Sequence, residues 1–392
     1  MTAARRCRPV AVAAVILALV AACSSGGSSR GGLAHGSVAP PTVPALSTPP
    51  RVAATPTTSG PAPVCPKNAA AVRVVAGTGA RGSSGDGGKA TAARLFGPQG
   101  LAVDASGNLY IADTQNQRIR RVTPAGVITT VAGSGAKGFA GDGGPAVRAE
   151  LASPVAVAAD TAGGLVIADF TNNRVRHVSH NGVITTLAGT GDADASGDDG
   201  PAASAHVVAP TAVAVDRSGA VYVGEGTANV VRRIVAGRIS AFAGDGDTGN
   251  GTEPSGPAAS VALNEPDDVA VTSSGDVYIA EFFADRISLV DRAGEIDTKL
   301  NAETTVACAA PGTTTGGPGI RNVGAIAAGP DGALWIADRD QHAIYRYLGG
   351  ALQRIAALRM LRTLSGLAVD GAGHVFVSDD QGNRVVEVTV SR

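Results

Sequence analysis

The chain has 392 residues, a formal net charge of −1 and 44% hydrophobic residues. That length fits two ordinary domains or one large all-β domain, and the balanced charge excludes a global pull toward nucleic acid or an anionic membrane surface. Its 53 glycines and 22 prolines, with aromatics at only 3%, suit many short aliphatic strands separated by tight turns.

Arg5, Arg6 and Arg8 precede an apolar run of 14 residues, Pro9 to Ala22. A membrane-spanning helix needs roughly 20. The basic start, the short apolar stretch and the small residues Ala21 and Ala22 mark residues 1–22 as a secretion signal. The ending LVAAC resembles the lipobox of bacterial lipoproteins, which implies that Cys23 is lipidated and begins the mature chain. Residues 23–69 are rich in Ser, Gly, Pro, Thr and Ala with almost no large apolar side chain, so they cannot offset the entropy of ordering. They are expected to form a disordered tether with a reach of roughly 35 to 40 Å if it behaves as a flexible coil.

Residues 70–392 carry a repeat. GNLYIADTQNQRIRRV at Gly107 returns as GGLVIADFTNNRVRHV at Gly163, GAVYVGEGTANVVRRI at Gly219, GDVYIAEFFADRISLV at Gly275, GALWIADRDQHAIYRY at Gly332 and GHVFVSDDQGNRVVEV at Gly373. The acid that ends each first run falls at Asp113, Asp169, Glu225, Glu281, Asp338 and Asp379, spaced 56, 56, 56, 57 and 41 residues apart. In the first copy GLAVD, NLYIAD, QRIRRV and GVITTVAG alternate as strands between short turns, the pattern of an antiparallel four-stranded meander. Six such sheets arranged radially make an all-β, six-bladed β-propeller. The last copy stops after its third strand, and an orphan strand, AVRVVAG at Ala71–Gly77, matches the missing fourth. Pairing of this N-terminal strand with the last blade closes the ring and removes its open edges.

GLAVDASGNLYIADTQNQRIRRV and VAVAADTAGGLVIADFTNNRVRHV resemble NHL repeats, and the resemblance runs from about Val72 to the C-terminus. It implies the propeller fold and leaves activity open, because propellers host many functions.

Between the fourth strand of one blade and the first of the next lie glycine-rich inserts: GSSGDGGKA at Gly82, GFAGDGGPA at Gly138 and ASGDDGPAA at Ala195. Their glycines permit positive φ in compact surface excursions, and PAVRAEL, with Pro at a first helical position, is expected to form one or two helical turns. Asp86, Asp142, Asp198 and Asp199 offer one or two carboxylates per loop, few for a calcium ion that takes six to eight oxygens. Loop length costs little stability, so shortening an insert is expected to leave the fold intact.

Asp113, Asn116 and Arg118 recur as Asp169, Asn172 and Arg174. Repetition around the ring favours an acid–arginine pair fixing the turn between second and third strands over a ring of ligand contacts. Trp335 shares its register with Tyr110, Tyr222, Tyr278 and Phe376, an aromatic position that packs blade on blade. No two of the six histidines share a repeat position. The segment NEPDDVAV places Glu265, Asp267 and Asp268 where the fourth inner strand starts, and Gln99, Thr211 and Asn322 belong near the same rim. Asp142 and His342 complete the candidate ligand or interaction rim. Cys65 and Cys308 either form a disulfide or stand as two thiols; export favours the bridge.

The expectation is an exported, cell-envelope lipoprotein on the outer face of the cell membrane. Its propeller, a monomer held to the membrane by the lipid anchor alone, binds a protein or an envelope component and has no chemistry and no cofactor of its own. The recognition face is the one bearing the long inserts; the other has only tight turns. The resemblance extends to extracellular sensor domains of receptor kinases, without a kinase segment here. The alternative, implied by gluconolactonase-like and amidating-lyase-like propellers, is a hydrolase or lyase with a divalent cation, calcium or similar, at the channel mouth.

Overall fold

The structure, a computed structural model, describes residues 70–249, 253–308 and 319–389. Residues 1–69, with the expected signal and tether, Cys23 and Cys65, lie outside the described residues. Cys308 ends a strand, but its pairing with Cys65 falls outside them too.

Strand β1 (Ala71–Ala76) opens the described chain. Blade 1 comprises β2 (Pro98–Val103), β3 (Leu109–Asp113), β4 (Arg118–Val122) and β5 (Ile128–Ala132), and blade 2 comprises β6 (Pro154–Ala159), β7 (Leu165–Asp169), β8 (Arg174–Val178) and β9 (Ile184–Ala188). Blade 3 has β11 (Ala212–Val215), β12 (Val221–Glu225), β13 (Val230–Val235) and β14 (Arg238–Ala243), with a fifth short strand, β10 (Gly200–Pro201). Blade 4 repeats this with β15 (Ser255–Pro257), then β16 (Pro266–Val271), β17 (Val277–Glu281), β18 (Arg286–Val290) and β19 (Glu295–Leu300). Blade 5 has β20 (Val306–Cys308), β21 (Val323–Ala328), β22 (Leu334–Asp338), β23 (Ala343–Leu348) and β24 (Ala351–Ala357). Blade 6 has only β25 (Gly366–Val369), β26 (Val375–Asp379) and β27 (Arg384–Thr389) from the C-terminal end, and β1 completes it in the order β1-β27-β26-β25. The closing pair is antiparallel, with Val72 opposite Val388 and Arg73 opposite Glu387, and the side chains of that second pair form an ion pair.

The core is not central. Six clusters of buried aliphatic side chains lie in the seams between neighbouring blades, one for each seam among the described residues. The second strands are buried on both faces, as β3 and β7 show along their whole length. Trp335 and Tyr222 pack into such seams, as their register implies. At the seam of blades 6 and 1, Asn383 completes the closure: its side-chain oxygen accepts the Gly97 N–H at 3.1 Å and its Nδ2 donates to the Gly79 carbonyl at 3.3 Å.

The inserts differ from the expectation. They do not project as loops; each runs back along the outer strand of the blade that follows it. Gly87 N–H donates to the Ile128 carbonyl (2.8 Å) and Ile128 N–H to Gly88 (3.0 Å); Gly143, Gly144 and Ile184 repeat the pair at the same distances. In blades 3 and 4 this contact is regular enough to be a strand, with Gly200 opposite Ile239 and Gly256 opposite Ile296. The strap then drops Ala90, Ala146, Ala202 or Ala258 into the seam, each at most 2% exposed. The helical part is a single 3-10 turn, Ala146–Arg148, because Pro145 stays extended (φ −62°, ψ 124°) to bridge Val183. Shortening the insert Gly138–Ala146 would therefore remove Ala146 from a core and strip the strap from β9, against the expected tolerance.

The acid–arginine pair is also corrected. Asp113 accepts from Phe96 N–H (2.8 Å), from Asn116 Nδ2 (2.8 Å) and from Arg120 Nη1 (3.3 Å), whereas Arg118 turns away to the carbonyls of Asn116 and Ser134. Arg120, fully buried, reaches on to Asp86 of the strap at 2.8 Å. Arg176 joins Asp169 to Asp142, and Arg232 joins Glu225 to Asp198, in the same way. Asp142 thus belongs to the outer edge of blade 2, also accepting from Thr186, and not to any ligand rim. Asp86, Asp142 and Asp198 are the second carboxylates of buried arginines, and this occupies three of the four calcium candidates; Asp199 is not paired in this way.

Burial pushes Asp113 and Asp169 up and Glu225 up to about 7, against the donors that favour the charge. Removing one partner of a buried pair costs about 3–5 kcal/mol, while a partly exposed pair contributes about 1 kcal/mol or less. Arg176→Ala is therefore expected to destabilise by about 3–5 kcal/mol. Asp142→Asn, at a side chain 37% exposed, is expected to cost no more than about 1 kcal/mol. Urea unfolding of the two variants measures the order; equal losses would contradict it.

Candidate functional site at the channel mouth

The inner strands all begin on one face, so residues in one register form a ring around the mouth of the channel. Counting back from the pairs Leu101–Ile111, Val157–Ile167, Val213–Val223, Val269–Ile279, Ile326–Ile336 and Leu367–Val377, one ring reads Gln99, Val155, Thr211, Asp267, Gly324 and Ser365. The next reads Gly100, Ala156, Ala212, Asp268, Ala325 and Gly366. A third, just after the recurring acid, reads Thr114, Phe170, Gly226, Phe282, Arg339 and Asp380. The side of blades 2 and 3 is small or apolar; the side of blades 4 to 6 is charged.

Arg339 organises the charged side. Its Nε donates to the Leu364 carbonyl (3.3 Å), its Nη2 to the Gly324 carbonyl (3.2 Å), and its Nη1 lies 3.9 Å from Asp267. The guanidinium stands over the Phe282 ring, 5.4 Å from its centroid. Gly324 is required there: a Cβ would come within 2.3 Å of the Leu364 carbonyl and 2.7 Å of Arg339. Asp268 faces the neighbouring blade, where its Oδ2 accepts the Ile326 N–H at 2.7 Å.

Glu265, in the left-handed region (φ 51°), holds a buried Oε2 with no partner among the described residues. Burial pushes Glu265 up to about 6, with the Asp267 charge adding and Arg339 opposing. Burial likewise carries Asp268 up to about 7 despite the N–H groups of Ile326 and Val269. Asp267 is raised by burial too, but 27% of its side chain is open to water, which screens it. Asp380, 7% exposed, is raised by burial, against the Gln381 N–H that its carboxylate accepts at 2.7 Å.

Of the rim residues expected from sequence, Asp267 and Asp268 come together, and Glu265 joins them. Thr211 does not offer its hydroxyl; Oγ1 reaches the carbonyls of Gly224 and Pro266, both at 3.3 Å. Gln99 presents its carbonyl against Gly366 in the closing seam. Asn322 sits at the Glu265 register, accepting nothing at Oδ1 among the described residues but giving its N–H to Asp285 (2.6 Å) and its Nδ2 to Asp340 (2.9 Å). His342 is the blade-5 member of a left-handed set, Gln117, Asn173, Asn229, Asp285, His342 and Asn383. The others accept an N–H from the next blade. At blade 6 the Thr363 N–H goes to Asp379 instead, and His342 Nδ1 is buried without a partner among the described residues. Arg339 and Asp380 escaped the sequence reading. Their signal is a charged residue at a repeat position otherwise held by Thr, Phe or Gly.

The opposite face is not closed by tight turns alone. Turns after the inner strands of blades 3 to 6 surround a cavity of about 230 Å³ lined by Val215, Asp216, Thr272, Gly329 and Asp370. Asp216 and Asp370 spend their carboxylates on their own turns, on Ser218, Ala220, Ala372 and His374. The mouth therefore has more unspent polar groups. Among the described residues no three His, Cys, Asp or Glu side chains converge to hold a metal ion, so the donors there do not fit the divalent cation of the alternative reading.

The family model of the teneurin NHL domain matches residues 65–140. Mouse Teneurin-4 is 31% identical over 248 residues, 55% of this chain and 9% of that protein, so the chain spans a small part of the relative it matches. A streptogramin B lyase structure superposes with a TM-score of 0.52 at 12% identity, covering 82% of this chain and 98% of the other. A gluconolactonase from Xanthomonas campestris does so with 0.54 at 13%, covering 83% and 92%. These likenesses are of fold. They overturn the expectation of a propeller without chemistry, because rings of this architecture include a lyase and a gluconolactonase, and the fold gives no ground for setting catalysis aside.

The titrations at the mouth have a sign. Between about pH 4 and 7 the native protein holds protons on Asp268 and Glu265 that the unfolded chain has released, so stability falls as pH rises through that window. Asp268→Asn keeps an acceptor for Ile326 and removes one titrating group. Its melting temperature should drop less than the wild type's between pH 5 and pH 8, by a few degrees. An identical drop would show that Asp268 ionises normally.

Proposed function

We propose that this NHL-repeat β-propeller is an exported, lipid-anchored module that takes a ligand from the envelope at the channel mouth of blades 4 to 6. The observation that carries the reading is the break in the ring. At registers where other blades hold Val155, Ala156 and Ala212 this side holds Asp267 and Asp268, and where they hold Phe170 and Gly226 it holds Arg339 and Asp380, with Glu265 beside them. A structural repeat needs no such break, and partly desolvated charges gathered in one cluster are what ligand sites are made of. Export and anchoring at Cys23 rest on the sequence of residues 1–23.

Acid–base chemistry at the same mouth is a second reading, favoured by two carboxyls, Glu265 and Asp268, raised to about 6 and 7 in one cluster. The fold neighbours make it admissible. The two readings separate on turnover: a binder returns its ligand intact, whereas an enzyme converts it with a pH profile that follows these groups.

Native mass spectrometry of the mature protein after incubation with an envelope extract tests the site. Asp267→Asn and Arg339→Ala should each reduce ligand retention about tenfold, the loss of roughly 1.4 kcal/mol. Asp216→Asn, on the opposite face, should leave it unchanged. The reverse order would move the site to the other cavity. Separately, Cys23→Ala should shift the protein from the membrane to the soluble fraction, since acyl chains contribute about 0.8 kcal/mol per buried CH₂; equal partitioning would end the anchoring claim.

A further inference from the structure

Five outer strands among the described residues are covered, and the sixth is not. Straps lie along β5, β9, β14 and β19, and β20 runs parallel to β24. No described segment lies along β1. The reason is in the connection: blade 6 follows β24 after only eight residues, 358–365, too few to return to its own outer strand. β1 occupies the register of β5, with Val72 opposite Val388 as Ile128 is opposite Val122. The N–H and C=O that Ile128 gives to its strap therefore correspond to those of Val72, which face outward. Val74 beside it is 39% exposed. Apart from Arg73, whose charge is taken by Glu387, the strand is aliphatic and mostly β-branched, and such an open edge is a liability that folded proteins cover.

The chain carries a strap that no blade has used. The four straps read Gly-Gly-Lys-Ala at 87–90, Gly-Gly-Pro-Ala at 143–146, Asp-Gly-Pro-Ala at 199–202 and Ser-Gly-Pro-Ala at 255–258. Ser59–Ala62 is again Ser-Gly-Pro-Ala, outside the described residues and just before β1. The residue ahead of the motif agrees as well. Where the third strand supplies a buried arginine, at Arg120, Arg176 and Arg232, that residue is Asp86, Asp142 or Asp198. In blade 4 the arginine's position is Ser288 and the residue is Pro254; for blade 6 the two are Val386 and Thr58.

We propose that Ser59–Ala62 docks on the open edge of β1 as the strap of blade 6. In the register of blade 4, where Gly256 is opposite Ile296 and Ala258 N–H reaches the Gly294 carbonyl at 2.8 Å, Gly60 faces Val72 and Ala62 N–H reaches Ala70. The seven residues 63–69 then make the turn. Pro61, like Pro257, has no N–H to present, which blunts the new edge.

Hydrogen exchange on the full mature chain reads this directly. Amides of residues 71–75 should be protected to within about tenfold of residues 128–132. Deleting 59–62, or Ala62→Asp, should speed exchange at 71–75 at least tenfold and leave 128–132 unchanged. Fast exchange of 71–75 in the wild type overturns the proposal, as does equal protection in wild type and variants. Protection that grows with protein concentration would assign the edge to a second copy and overturn it too.

Discussion

A carboxylate placed in the dry seam between two blades must bring its donors with it, and every blade of this ring places one there. Asp113, Asp169, Glu225, Glu281, Asp338 and Asp379 are all fully buried. Each accepts an N–H from the segment entering its own blade, at Phe96, Ala152, Val208, Asn264, Arg321 and Arg362. The acid therefore ties the second strand to the start of the first, which is how the mouth of the channel acquires its rim. The remaining donors vary. Blades 1 to 3 use the deep arginine that also grips the strap; blade 4 uses Arg286 with Ser288; blade 5 uses Gln341, itself held by Tyr345; blade 6 uses Arg384. The need is constant, and the chemistry that meets it drifts.

The repeat period, the blade count and the closing strand were legible because each rests on alternation and spacing, which sequence displays directly. Which arginine meets the acid was not. Arg118 is opposite Asp113 in the strand register, yet its guanidinium leaves for the carbonyl of Ser134, and Arg120 takes the seam. In blades 4 and 6, where Ser288 and Val386 vacate that place, Arg286 and Arg384 do pair as the spacing suggests. A side chain as long as arginine chooses among several partners, and strand register does not decide between them. The concordance of strap aspartate with deep arginine would have decided it.

The site was legible in half. NEPDDVAV broke the small-residue pattern of the inner strands and drew attention to Asp267 and Asp268. Arg339 stayed hidden because it acts across a blade boundary: it belongs to blade 5 but leans on Phe282 of blade 4 and on the Leu364 carbonyl entering blade 6. Thr211 failed as a ligand group for a related reason, since its hydroxyl is taken in part by the Pro266 carbonyl of the neighbouring blade. In a ring, the partner of a residue is usually in the adjacent repeat, and reading one repeat at a time misses it.

The ion pair of Arg73 with Glu387 spans 314 positions of the chain. Five sheets can assemble from strands that are near neighbours in sequence, as each emerges. The sixth joins the first described strand to the last, so it completes only when all the blades between them have been made. Until then β1 is an unpaired strand on both sides. Loop-closure entropy rises only slowly with length, so the finished ring loses little by this arrangement. The delay falls on the rate instead, because a contact this distant places the closing step last and slowest. An N-terminal segment able to shield one side of β1 would shorten the list of wrong partners available to it during that wait.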